Sequence, residues 1–190
     1  MWNAPSGTTI SLAAGSYRGP LIPQNEICIE ATAGLGTVTV HAARGSVLSA
    51  EGAGRITLRR LVLRGPAHGL GALIKVYNPT RLMIEDCLLT GGRAEGEGGG
   101  AIDVQAGEVD VSRCRFTRNV ALQGGAIRVG GVALARVSNC VFDDNTAQGE
   151  SSGGGAVFAN MGGVAEVRNC TFANNKGRHG SALLAGRGGT

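Results

Sequence analysis

Two adjacent carboxylates, Asp143 and Asp144, close the segment Cys140-Val-Phe-Asp-Asp144, and two arginines, Arg115 and Arg118, lie a short way upstream. Paired acids about 5 Å apart can act as nucleophile and general acid on a glycosidic bond, and a wider pair can invert it through a water. A catalytic reading of this chain would therefore rest on Asp143, Asp144, Arg118 and Arg115. Consecutive residues in a turn tend to diverge, however. The matching positions of the flanking sequence repeats hold Thr117 and Arg118 on one side and Ala173 and Asn174 on the other, so no partner acid stands above or below. The first reading accordingly assigns no catalytic residue.

Other chemistries find less support. His41, His68 and His179 sit in three separate contexts without a Ser or Asp at nucleophile-elbow spacing, so no triad is indicated. The five cysteines form no Cys-x-x-Cys pair and no Cys/His cluster, which predicts no zinc, no other metal and no cofactor. The glycine-rich stretches 91–100 and 146–155 lack the Lys-Ser/Thr ending and the following helix of a phosphate loop. They read as surface loops that tolerate insertion or rim a ligand.

The elements that must carry these residues are repeated. Val109-Asp-Val-Ser-Arg-Cys-Arg-Phe-Thr-Arg-Asn119 recurs as Ala135-Arg-Val-Ser-Asn-Cys-Val-Phe-Asp-Asp-Asn145 and Ala165-Glu-Val-Arg-Asn-Cys-Thr-Phe-Ala-Asn-Asn175, with cysteines 26 and 30 residues apart. Weaker copies begin at Leu82 and Ile56. Aligned, they give apolar columns: Leu58, Ile84, Val111, Val137, Val167; then Leu61, Cys87, Cys114, Cys140, Cys170; then Leu63, Leu89, Phe116, Phe142, Phe172. Within a copy the apolar positions alternate, slip by one residue, and alternate again, which predicts two short strands meeting at a bend. A second motif, Gly99-Gly-Ala-Ile102, Gly124-Gly-Ala-Ile127 and Gly154-Gly-Ala-Val157, supplies a third strand; Gly71-Ala-Leu-Ile74 and Gly180-Ser-Ala-Leu183 read as its outer copies, aligned on Ala72 and Ala182.

No such unit can bury its apolar side alone, but stacking at about 4.8 Å pairs every strand in parallel and closes an interior. The fold class is all-β: a single-stranded parallel β-helix of about six coils, each of three short strands. Four cysteines occupy a column otherwise filled by Leu61 and so behave as small buried hydrophobes. Asn119, Asn145 and Asn175 end the second strand, where stacked amides can bond from coil to coil. On the first strand, opposite charges follow one another up the axis: Asp110, Arg136 and Glu166; Arg59 and Glu85; Arg60, Asp86 and Arg113. Such exposed pairs keep a sheet face soluble and in register and contribute little stability.

The pattern resembles the right-handed parallel β-helix, or pectate-lyase-like, superfamily. The pairing of Gly124-Gly-Ala-Ile127 with Phe116-Thr-Arg-Asn119 is similar to the repeats of chlamydial polymorphic outer membrane proteins. The likeness covers about residues 55 to 186, and more loosely the opening segments 8–21, 27–31 and 37–41. It implies right-handed winding. It also implies that an enzyme on this fold would act on acidic polysaccharides, with carboxylates holding calcium and an Arg or Lys as base. The mixed charges of the first-strand face do not supply the convergent carboxylates that calcium needs.

The 190 residues are read as one domain: less regular opening coils at 1–54, regular repeats at 55–186, and a tail at 187–190 beside an open end. The net charge of +4 interleaves 18 basic with 14 acidic residues, and Lys75 and Lys176 are the only lysines, so nucleic acid is not an expected partner. No apolar run approaches the length of a membrane helix, and no secretory signal follows Met1. The chain is expected to be cytoplasmic if Met1 is the native start, and otherwise at the cell surface or secreted. Function reads first as a non-catalytic recognition or scaffold module for a protein or carbohydrate, with protein or self-association at the open carboxyl-terminal coil. A polysaccharide lyase or glycoside hydrolase is the alternative.

Overall fold

A computed structural model describes residues 4–52, 54–65, 71–77, 80–95, 98–149 and 153–190. Every strand pairing within its sheets is parallel, and no helix occurs among the described residues. First strands stack as Thr8–Leu12, Ile27–Ala31, Arg55–Arg59, Arg81–Glu85, the second parts of Ile102–Ser112 and Ile127–Ser138, and Val164–Arg168. Second strands stack as Gly15–Arg18, Val38–His41, Val62–Arg64, Leu88–Thr90, Arg115–Thr117, Val141–Asp143 and Thr171–Ala173, a seven-stranded sheet that spans six turns. Third strands are Leu48–Glu51, Ile74–Tyr77, the first parts of the two long strands, Val157–Ala159 and Leu183–Ala185.

The expected columns are the hydrogen-bond register. Leu58, Ile84, Val111, Val137 and Val167 lie over one another, as do Leu63, Leu89, Phe116, Phe142 and Phe172. The phenylalanine rings stack 4.7 and 4.9 Å apart, each pair within 6° of parallel. The amides form the expected ladder: Asn119 Nδ2 donates to Asn145 Oδ1 at 3.0 Å and Asn145 Nδ2 to Asn175 Oδ1 at 2.9 Å. Each of these Nδ2 groups also donates to a second-strand carbonyl one coil back, Leu89 and Phe116 respectively. With Asn119 and Asn145 fully buried, these bonds remove the cost of unpaired amides in an apolar interior.

The phase slip between the first two strands is a single residue in the left-handed region: Arg60, Asp86, Arg113, Asn139 and Asn169 have φ between 52 and 56°. A second such corner follows the second strand at Arg118, Asp144 and Asn174, φ 53 to 55°. Asn and Asp tolerate this region because their short polar side chains bond locally, whereas arginine carries the ordinary steric cost.

Three details depart from the sequence reading. In two coils the third strand runs without a corner into the next first strand, giving Ile102–Ser112 and Ile127–Ser138, with a register shift between Val104 and Ala106. Ile74 pairs with Ile102, so Leu73, and not Ala72, stands in the Ala101, Ala126, Ala156 column. The opening segments are also well ordered: Thr8–Leu12 pairs residue for residue with Ile27–Ala31, and Gly15–Arg18 with Val38–His41. Residues 187–190 continue the winding, with Ala165 N–H donating to Thr190 O at 2.8 Å. In the last coil Phe172 and Val167 are only partly buried and Leu183 is 47% exposed, unlike their counterparts below.

The Gly-Gly-Ala motif is required by close backbone approach. A Cβ on Gly125 would lie 2.3 Å from the carbonyl oxygen of Gly155 one coil on, and one on Gly124 would lie 2.2 Å from Ile127 O. Gly34 has open space around its Cα. Gly125→Ala is therefore expected to destabilise by at least about 2 kcal/mol, and Gly34→Ala to stay within about 0.5 kcal/mol. Urea unfolding of the two variants measures the contrast.

Candidate functional site: an arginine groove at the second corner

The second strand ends in an outward column, Arg18, His41, Arg64, Thr90, Thr117 and Asp143, set by parallel register. Just beyond it the chain turns through the second corner into the short strands Val120–Ala121 and Thr146–Ala147. Arg93 forms a backbone bridge with Val120, which fixes its place beside that turn. The result is an open hollow of about 550 Å³ lined by Arg64, Thr90, Gly91, Arg93, Arg118, Val120, Asp144 and Thr146. Arg64, Arg93 and Arg118 are exposed, come from successive coils, and have no ion-pair partner among the described residues.

A neighbouring hollow of about 480 Å³ shares Arg118 and Asp144 and adds Leu88, Arg115, Thr117 and Asp143. All four residues of the catalytic alternative thus lie together. Their states differ. Asp143 Oδ2 accepts from Arg115 Nη2 at 3.2 Å and its Oδ1 from Asn174 Nδ2 at 3.0 Å, so both oxygens are engaged. Asp144 sits on the left-handed corner, exposed; its N–H donates to Ala173 O at 3.2 Å, and its carboxylate has no hydrogen-bond or ion-pair partner among the described residues.

Much of the first-strand face is paired between coils. Arg59 Nε donates to Glu85 at 3.0 Å, Arg113 Nε to Asp86 at 2.8 Å, and Arg136 Nη1 to Glu108 at 3.0 Å and to Asp110 at 3.4 Å. The Arg113 bond holds the Asp86 carboxyl below the usual carboxylate range. Arg60 departs from expectation: it reaches down to Glu30 at 3.0 Å and to the carbonyl of Ala31, and forms no bond with Asp86. A shallow hollow of about 290 Å³ on this face is lined by Glu85, Asp110, Arg136 and Glu166, all in ion pairs.

Of the histidines, His41 Nδ1 lies 3.2 Å from Ser16 Oγ, a contact between coils that sequence spacing did not reveal. No carboxylate among the described residues bonds to that ring. His179 is exposed, and His68 lies outside the described residues. No three His, Cys, Asp or Glu side chains converge to hold a metal among the described residues. Four of the cysteines fill the interior column and all five are free thiols. Hydrogen bonds to Cys140 and Cys87 push the Cys114 thiol up, and burial does the same at Cys28 and Cys170.

The glycine-rich stretch 91–100 has a structural role within its described part. It brings Gly98 against the Asp103 carboxylate, which pairs with Arg128 at 3.2 Å; the two side chains are 4% and 7% exposed. Asp103 also accepts from Gln105 Nε2 at 3.0 Å. This outward-facing yet buried ion pair on the third strands was not legible in the sequence. Removing one member of a buried pair strands the other charge, which costs about 3–5 kcal/mol, whereas apolar replacement of both is close to neutral. Arg128→Met is expected to show that loss in thermal unfolding, and Asp103→Leu combined with Arg128→Met to recover most of it.

Comparison with known proteins matches the family model described as "Right handed beta helix region" over residues 26–190. No curated protein sequence matches the chain significantly. Among solved structures, the PL6 family alginate lyase AlyGC superposes with a TM-score of 0.70 at 16% identity, over 94% of this chain and 27% of that one. A second structure of AlyGC, carrying an arginine-to-alanine substitution, gives 0.61 at 12% identity, over 96% and 37%. The chain thus spans 27% and 37% of the chains in these two structures of one enzyme, and the likeness is one of fold.

Proposed function

Because the chain belongs to the right-handed β-helix family, we propose that it is a non-catalytic recognition module that holds an acidic carbohydrate in the groove of Arg64, Arg93 and Arg118. The observation that carries this reading is the contrast in charge pairing. First-strand Arg59, Arg81 and Arg136 pair with acids one coil away, while these three guanidinium groups, drawn from successive coils into one hollow, face solvent without an ion-pair partner among the described residues. Guanidinium forks match carboxylates two bonds at a time, and a file of them suits a polymer with a charge on each unit. The fold shared with a polysaccharide lyase is what favours a carbohydrate as the polymer in this reading.

Arg64→Ala, Arg93→Ala and Arg118→Ala combined are expected to weaken binding of polyuronates such as alginate or pectate at least tenfold by calorimetry, while the circular dichroism of the sheet stays unchanged. Equal affinity in the variant would remove the groove from consideration. The alternative, a lyase or hydrolase, is favoured by one observation, the unpaired Asp144 beside Arg118. Polysaccharide turnover abolished by Asp144→Ala would establish it in place of the binding module.

The half-exposed last coil is the surface we assign to a protein partner or a second copy. Its unpaired strand edge offers backbone donors and acceptors to another chain. Sedimentation is expected to show concentration-dependent association, and a sharp monomer at high concentration would count against it.

A further inference from the structure

Cys87, Cys114, Cys140 and Cys170 form a file along the interior, the first three buried and the last partly exposed at the final coil. The residues that follow them, Leu88, Arg115, Val141 and Thr171, are register partners, so each thiol stands over the next. Every sulfur is held in the same way. Each accepts the backbone N–H of the column residue one coil back at 3.4 Å, beginning with Leu61 N–H to Cys87 Sγ. Each donates its S–H to the carbonyl two residues before it at 3.2 Å.

Identical placement one coil apart separates neighbouring sulfurs by roughly the strand spacing of about 4.8 Å. That span, with the Cβ atoms side by side, does not suit a disulfide, which needs an S–S distance of about 2.05 Å and a torsion near 90°. All four thiols are accordingly free. It does suit a sulfur–metal–sulfur unit in a straight line, since two bonds of about 2.3 Å add to about 4.6 Å. Zinc-like ions that demand four ligands find no set here, because no three ligating side chains converge among the described residues.

We propose that neighbouring thiols of this file, Cys140 with Cys170 and Cys87 with Cys114, are two-coordinate sites for soft cations of linear habit, of which Hg(II) and Ag(I) are the probes. Soft thiolates select such ions over harder divalent ones. Binding of Hg(II) forms two Hg–S bonds, breaks two S–H bonds and releases two protons, leaving a neutral unit that an apolar interior accepts. With Ag(I) one proton leaves and the second sulfur binds as a thiol, again without net charge. The backbone N–H bonds to each sulfur are already in place to stabilise the thiolate. Cys170, partly buried, is the most accessible thiol of the file.

The test uses the full chain with Cys28→Ser, because Cys28 lies outside the file. Titration with mercuric chloride or silver nitrate in the absence of reductant is expected to take up two ions per chain, to block all four thiols, and to raise the thermal midpoint. X-ray absorption should find two sulfur neighbours and no others. Adding Cys140→Val and Cys170→Val, which keep the column apolar as Leu61 does, should leave one ion bound. Uptake of one ion per thiol, a lowered midpoint, three or more ligands at the metal, or thiols that react only after unfolding would each overturn the proposal.

Discussion

The fold rests on parallel backbone pairing between successive turns of one chain. Strands of the same rank on successive turns bond to one another in parallel register, so a side chain's neighbour along the axis is its own counterpart. This constraint selects residue types that pack well against copies of themselves. Phenylalanine does so as a parallel ring stack, at 4.7 and 4.9 Å, within the range that aromatic pairs favour. Asparagine does so by donating and accepting in one direction, and glycine by having nothing to collide with where the second residue of Gly-Gly-Ala meets the carbonyl of the next coil.

Because like stacks on like, much of the fold was written in the sequence. The columns through Val111, Cys114, Phe116 and Asn119 could be read directly, since a one-dimensional spacing there becomes a three-dimensional contact. Reading failed where the spacing no longer tracks the contact. Leu73 takes the place of an alanine because the coil containing it is one residue out of step, and the small-residue pattern pointed to Ala72 instead. The corner expected before Val109 is replaced by a continuous strand with a register shift, which alternation alone cannot distinguish from a turn.

The functional surface was less legible, for a related reason. Interior positions repeat in type, whereas outward positions are free to vary, so no column announces them. Asp143, Asp144, Arg115 and Arg118 were found because they are clustered in sequence, and the structure does bring them together. Arg64 and Arg93 were missed because they join Arg118 only through the winding of successive coils. Arg128 and Asp103 carry no signal of burial in their spacing, and only the fold shows that they are covered, with Gly98 against the carboxylate.

Two of the corners in each regular turn are made by one left-handed residue apiece, and a bend of one residue has no slack. Those two corners leave little room for change, and the larger difference in repeat length is taken up between the amide ladder and the Gly-Gly-Ala segment, where the distance from Asn145 to Gly154 exceeds that from Asn119 to Gly124. That segment borders the arginine groove. A lineage could lengthen or shorten it, and so reshape one wall of the groove, without re-threading the interior: the scaffold confines variation to the side where recognition would change.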